Sequence, residues 1–83
     1  MVVPNPVKTS SANLVLQAAT TQPVSIKITD LSGRILRAET INNVIAGKNN
    51  YPLSNINLLP GTYMIIAVQN NTVIARTQFI VAK

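Results

Sequence analysis

From Val24 to Thr29 apolar and polar residues alternate, with Val24, Ile26 and Ile28 on one side and Ser25, Lys27 and Thr29 on the other. Successive side chains of a strand point to opposite faces, so this period of two predicts a half-buried β-strand. The same alternation runs through residues 13–19, where Leu14, Leu16 and Ala18 share a side, and residues 35–41 return as a further strand. The opening, Val2-Val3-Pro4-Asn5-Pro6-Val7, carries prolines that force extended geometry and remove donors, which suits an edge strand. Residues 51–54 carry Pro52 and are read as a short edge strand, after a longer loop over residues 42–50 around Gly47. No window has a helical period. The pattern predicts an all-β chain folded as an immunoglobulin-like antiparallel β-sandwich of about seven short strands.

The last stretch is the richest. Pro60-Gly61 signals a turn, a run of β-branched and aromatic residues follows, Asn70-Asn71 interrupts it, and Val73 to Val81 resumes. This is a β-hairpin with two possible registers. A two-residue Asn70-Asn71 turn pairs Gln69 with Thr72 and separates Tyr63 from Phe79. A three-residue loop over residues 70–72 pairs Gln69 with Val73 and gathers Tyr63, Ile65, Ala67, Ala75, Thr77, Phe79 and Val81 on one face. The second is preferred because it buries both aromatics together and leaves Arg76 and Gln78 outside. It also leaves Met64, Ile66, Val68, Ile74 and Ile80 on the other face, a candidate docking surface.

Asp30-Leu31-Ser32-Gly33-Arg34 has Asp and Gly where a type I turn closed by a left-handed glycine needs them, and the Asp carboxylate is placed to accept turn amides. A phosphate cradle does not fit, because there is one glycine and no following helix. Asn70-Asn71-Thr72 is formally a glycosylation acceptor, which in a hairpin turn reads as coincidence.

Composition narrows the chemistry. The chain of 83 residues has no Cys and no His, and only Asp30 and Glu39 as acids. Disulfides and thiolate metal sites are excluded, and acid–base catalysis and carboxylate cages have almost no groups to use, so the expectation is no enzyme, no metal and no cofactor. The net charge of +5 is spread over Lys8, Lys27, Arg34, Arg37, Lys48, Arg76 and Lys83 without a basic stripe, and the only aromatics are Tyr51, Tyr63 and Phe79, so no nucleic-acid partner is expected. No secretory signal is visible at the start, and the apolar run from Tyr63 to Val68 is far shorter than a membrane helix. Met1 reads as a start placed on a fragment, and residues 1–83 as one domain of a longer protein.

Pro4-Asn5-Pro6-Val7, Asp30-Leu31-Ser32-Gly33-Arg34, Leu58-x-x-Gly61-x-Tyr63 and Phe79-Ile80-Val81-Ala82-Lys83 occur in one order at one spacing. Together they resemble the C-terminal sorting domain of cargo proteins of the type IX (Por) secretion system of Bacteroidetes. The resemblance implies a seven-stranded immunoglobulin-like sandwich that acts as an address. The cargo crosses the periplasm, the domain is read by the outer-membrane translocon and its shuttle proteins, and a cell-surface sortase cuts before the domain and joins the cargo to anionic lipopolysaccharide. The cargo then stays at the cell surface or is secreted. By position, Pro4, Asn5 and Pro6 match the opening motif. Asp30, Gly33 and Arg34 match the middle turn, and Gly61 and Tyr63 the approach to the last hairpin. Phe79, Ile80, Val81 and Lys83 match the terminal segment. Ile56-Asn57 reads as a two-residue insertion relative to the family pattern. The rival readings are a generic immunoglobulin-like spacer or adhesion module and a carbohydrate-binding accessory module of a surface protein. Weak homodimerisation through the apolar strands is a further expectation.

Overall fold

The computed structural model describes residues 1–3, 5–54 and 56–82. The site expectations placed on Pro4 and Lys83 fall outside the described residues. The described elements are β1 (Val2–Val3), β2 (Ala12–Ala18), β3 (Val24–Thr29), β4 (Ile35–Ile41), β5 (Gly47–Leu53), β6 (Gly61–Gln69) and β7 (Thr72–Val81). They form a three-stranded sheet in the order β1-β2-β5 and a four-stranded sheet in the order β4-β3-β6-β7, every strand pairing antiparallel. The two sheets face each other as an immunoglobulin-like β-sandwich.

Alternation decides which side chains fill the space between the sheets. Leu14 and Leu16 from β2, Ile26 and Ile28 from β3, and Ile65 and Phe79 from β6 and β7 are all nearly inaccessible to solvent. Each such side chain contributes about 1.5–3 kcal/mol through removal of apolar surface from water. Ile56, read as part of an insertion, is also buried, and its N–H donates to the Ser10 carbonyl at 2.8 Å. The segment before β6 therefore supplies a core side chain and is not a free loop.

β5 is longer than expected. It begins at Gly47 and pairs with β2 from Ala18↔Gly47 to Ala12↔Leu53, so the loop expected over residues 42–50 ends at residue 46. Asn has a low preference for strands, but a backbone ladder to a neighbouring strand overrides it. The Asn49 side chain helps from the inner face. Its amide donates to the carbonyls of Ile45 and Gly47 at 2.8 and 3.1 Å, and its oxygen accepts from the Ile45 N–H at 3.1 Å. Pro52 lies on an edge strand, as expected.

The β6–β7 hairpin combines both registers weighed from sequence. The turn is the two-residue one: Gln69 pairs with Thr72, and Asn70 and Asn71 both take left-handed φ, 53° and 61°. That is the backbone of a type I′ turn, whose twist matches that of the flanking strands. A register shift between Ala67 and Val68 then changes the pairing, so that Val68 faces Val73 while Ala67 faces Ala75. Beyond this bulge Tyr63 pairs with Phe79 and Ile65 with Thr77, which is the face composition expected from a three-residue loop. The bulge moves one residue of the predicted outer set. Val73 takes the outer place opposite Val68, and Ile74 packs partly against the core. Met64, Ile66 and Val68 are half-buried on the outer face, and Ile80 is 46% exposed there.

Candidate recognition surface

The opening segment does not stay with one sheet. Val2 and Val3 pair with Leu14 and Asn13 in the three-stranded sheet, whereas Val7 forms a parallel bridge with Val81 on the edge of the four-stranded sheet. The peptide bond between Asn5 and Pro6 is cis. Val7 donates its N–H to the Ile80 carbonyl at 2.7 Å and accepts from Ala82 N–H at 2.8 Å. Asn5 Oδ1 accepts the N–H of Ile80 at 3.0 Å. The backbone groups of Ile80 that point away from β6 are thus both satisfied by the opening motif, and the end of the edge strand is sealed. Val7 and Val81 are buried under this seam.

Gly61 and Tyr63 reach the same place from the other side of β7. Gly61 pairs with Val81 and Tyr63 with Phe79. The two rings lie 5.9 Å apart, tilted by 33°, which is within the range of favourable aromatic pairs. The Tyr63 hydroxyl donates to the Leu59 carbonyl at 2.5 Å, folding the chain back at the start of β6 in the manner of the tyrosine corner of immunoglobulin-like domains. Gly61 has φ of +159°, and the Tyr63 ring passes 3.8 Å from where a Cβ on Gly61 would stand.

The turn between β3 and β4 is built as its sequence predicts. Asp30 Oδ1 accepts the Ser32 hydroxyl at 2.6 Å and the N–H groups of Ser32 and Arg34 at 3.0 Å each. Asp30 and Gly33 close the turn by a backbone bond of 3.1 Å, and Gly33 takes φ of +94°, which glycine adopts without steric cost. The Ser32 hydroxyl bond, then the Arg34 amide, hold the Asp30 carboxyl below its usual range. The Arg34 guanidinium is 3.6 Å from Asp30 and is mostly exposed, so this ion pair adds little.

These motifs gather at one end of the four-stranded sheet. Thr29 pairs with Met64 and Met64 with Gln78, so the Asp30 turn projects from the same end as Gly61 and Val81. The structure joins Asn5, Gly61, Tyr63, Phe79, Ile80 and Val81 directly through the pairings above. It keeps Asp30, Gly33 and Arg34 two strands away across the sheet. Polar contacts that sequence reasoning missed hold the rest of the frame. Gln69, although buried, donates to the carbonyls of Thr20 and Gln22 at 3.0 and 2.8 Å. It is in phase with Tyr63, Ile65 and Ala67, which was the available signal. At the opposite edge, Arg37 donates to Glu39 and to the Ser54 carbonyl, each at 2.7 Å, and ties β4 to the segment after β5. Two opposite charges separated by one residue in a strand share a face, and that spacing could have pointed to the pair.

Among the described residues, no group of three or more His, Cys, Asp or Glu comes together, and no helix is long and apolar enough to cross a membrane. No significant match exists among the curated proteins or among the solved structures. Residues 1–82 of the 83, however, match the family model described as the secretion system C-terminal sorting domain, which is not an enzyme family. With the match covering nearly the whole chain, this protein belongs to the C-terminal sorting domains of type IX secretion cargo.

Proposed function

We propose that the domain is read as a folded surface, at the end of the sandwich where the opening motif and the terminal strand meet, and that it carries its cargo from the periplasm through the outer-membrane translocon without catalysing any reaction itself. The observation that carries this reading is the bond between Asn5 and Ile80, with the Val7–Val81 bridge beside it. It makes residues from both ends of the domain into one continuous patch, flanked by Gly61 and Tyr63. Asn5, Pro6 and Ile80 are the contact residues in this reading, with Pro4 and Lys83 in the same sequence motifs. Tyr63, Phe79 and Val81 support them from the core. Asp30, Gly33 and Arg34 present a rigid turn at the same end. A shuttle protein or translocon subunit that docks here tests the fold and both motifs at once. We further assign the cut by a surface sortase to a linker upstream of β1, with transfer of the cargo to anionic lipopolysaccharide. The proximity of the opening motif to the recognised patch supports that order of events.

The test is transplantation. Residues 1–83, with a native upstream linker, are fused behind a signal peptide and a fluorescent reporter in a host that has this secretion system. Reporter at the surface and in the medium is compared with a host lacking the translocon. Translocon-dependent export is expected. Periplasmic retention of a folded fusion would refute the export role of this domain. Ile80→Ser, which alters an exposed position, and Lys83→Ala separate recognition from folding: export lost in a folded variant supports direct reading of the patch, and normal export of both removes those side chains from it.

A further inference from the structure

Opposite the sealed edge lie β4 and β5, the outer strands of the two sheets, tied at one end by the Arg37–Ser54 bond. A cleft of about 450 Å³ lies there, within the size range of small-molecule sites. We propose that this cleft binds a neutral oligosaccharide. Its floor is apolar, made by Leu16, Ile41 and Val44. Its walls carry the side-chain amides of Asn42, Asn43 and Asn50, which are exposed and make no hydrogen bond among the described residues.

The chemistry of these walls selects the ligand class. An amide both donates and accepts, as a sugar hydroxyl does, so three uncommitted amides match a polyhydroxylated surface. The half-buried Tyr51 ring supplies an apolar face for sugar C–H groups. Tyr51 is the only titratable residue among the described residues that line the cleft, and like any tyrosine it is uncharged near neutral pH. Burial and the nearby Glu39 charge raise its pKa further. A phosphorylated or carboxylated ligand would find no counter-charge in the lining. Two of the lining side chains, Asn49 and Tyr51, are also held in place. Asn49 fixes the chain from Ile45 to Gly47 through its three bonds, and the Tyr51 hydroxyl lies 3.5 Å from the Glu39 carboxylate that Arg37 locks. Addition of a peptide strand is disfavoured at this edge. Pro52 has no N–H to offer on β5, and the inward-pointing Arg37 and Glu39 on β4 are a recognised device against edge pairing.

The site is independent of the export reading and is tested on the isolated domain, whose sandwich closes its own core. Amide chemical shifts are followed by NMR during titration with maltotriose, cellotriose, mannotriose and chitotriose, with sialyllactose as the anionic control. At least one neutral trisaccharide is expected to bind with a Kd of about 1 mM or tighter, and to move signals only in residues 40–44 and 49–51. The double variant Asn43→Ala, Asn50→Ala is expected to keep a dispersed spectrum and weaken binding about tenfold or more. Tyr51→Leu, which keeps an apolar side chain, is read in parallel and is expected to lose the ring contact and weaken the same ligand. Absence of shifts with all four neutral sugars at about 20 mM, well above that Kd, would overturn the proposal. So would shifts mapping to the Asn5–Ile80 side, tighter binding of sialyllactose than of any neutral sugar, or unchanged affinity in both variants.

Discussion

Asn5 Oδ1 accepts the backbone N–H of Ile80 at 3.0 Å, across 75 residues of chain. A side chain here does the work of a strand: it satisfies one rung of an edge that would otherwise be free to pair with another chain. Asn5→Ala is expected to lower stability by about 0.5–1 kcal/mol, the net value of one exposed hydrogen bond, and to speed exchange of the Ile80 amide selectively. Denaturant unfolding with residue-resolved hydrogen exchange checks both. Unchanged exchange at Ile80 would mean that the bond is not maintained in solution.

The pair of Tyr63 and Phe79 separates two kinds of contribution. Phe79→Ala removes a buried ring from the middle of the core and is expected to cost about 3–5 kcal/mol, a large fraction of what a domain of this size has. Tyr63→Phe keeps the ring and its 5.9 Å neighbour and loses only the bond to Leu59. About 1 kcal/mol is expected. Urea denaturation of both variants decides whether the corner or the ring dominates.

The turn at Asn70-Asn71 is held by two non-glycine residues at positive φ, 53° and 61°. Asn71→Gly removes the steric cost and is expected to leave stability unchanged or raise it by a few tenths of a kcal/mol. Asn71→Val is expected to lower it by about 1–2 kcal/mol, since a β-branched side chain is poorly tolerated in that region. Thermal unfolding of the two variants measures the difference.

Gln69→Leu keeps the volume of a buried side chain but leaves the Thr20 and Gln22 carbonyls without their donor. A loss of about 1–3 kcal/mol is expected, with amide exchange rising in the β2–β3 connection. A neutral substitution would show that water replaces the amide.

Acid stability follows from Asp30. Its carboxyl is held below the usual range by the Ser32 hydroxyl and the Arg34 amide, so the unfolded chain takes up the proton first as pH falls. The contribution is present above the ordinary carboxylate range and is lost as pH falls through the folded value. Asp30→Asn is therefore expected to flatten the pH dependence of stability below about pH 4, where an unperturbed aspartate titrates. Parallel curves for the two proteins would exclude Asp30 as a contributor.

The fold class was legible because alternation marks which residues face inward, and in β3 burial follows it from Val24 to Ile28, with Thr29 buried as well at the strand end. The inner face of the last hairpin was also legible, but its mechanism was not. Val73 and Ile74 are both apolar and β-branched, so no local pattern marks which of them bulges; the bulge follows from a preferred tight turn at one end and two aromatics that must both be buried at the other. β5 was read too short because its asparagines carry a loop signature locally, while its partner β2 lies some thirty residues upstream. Of the site residues, Asn5 and Ile80 were singled out separately through resemblance. Their direct contact depends on the chain passing from the first sheet at Val3 to the second at Val7, which no local periodicity encodes. The β4–β5 cleft was invisible for the same reason, being made by edges of different sheets.

The seam between Asn5–Val7 and Ile80–Ala82 has a consequence in time. A polypeptide is made from its N-terminus, so the opening residues wait, unpaired on that side, until the last strand has been synthesised. A ribosome that stalls anywhere upstream releases a chain with no β7, no Tyr63–Phe79 pair and no closed edge. The closed seam thus doubles as a receipt that translation has run through the domain.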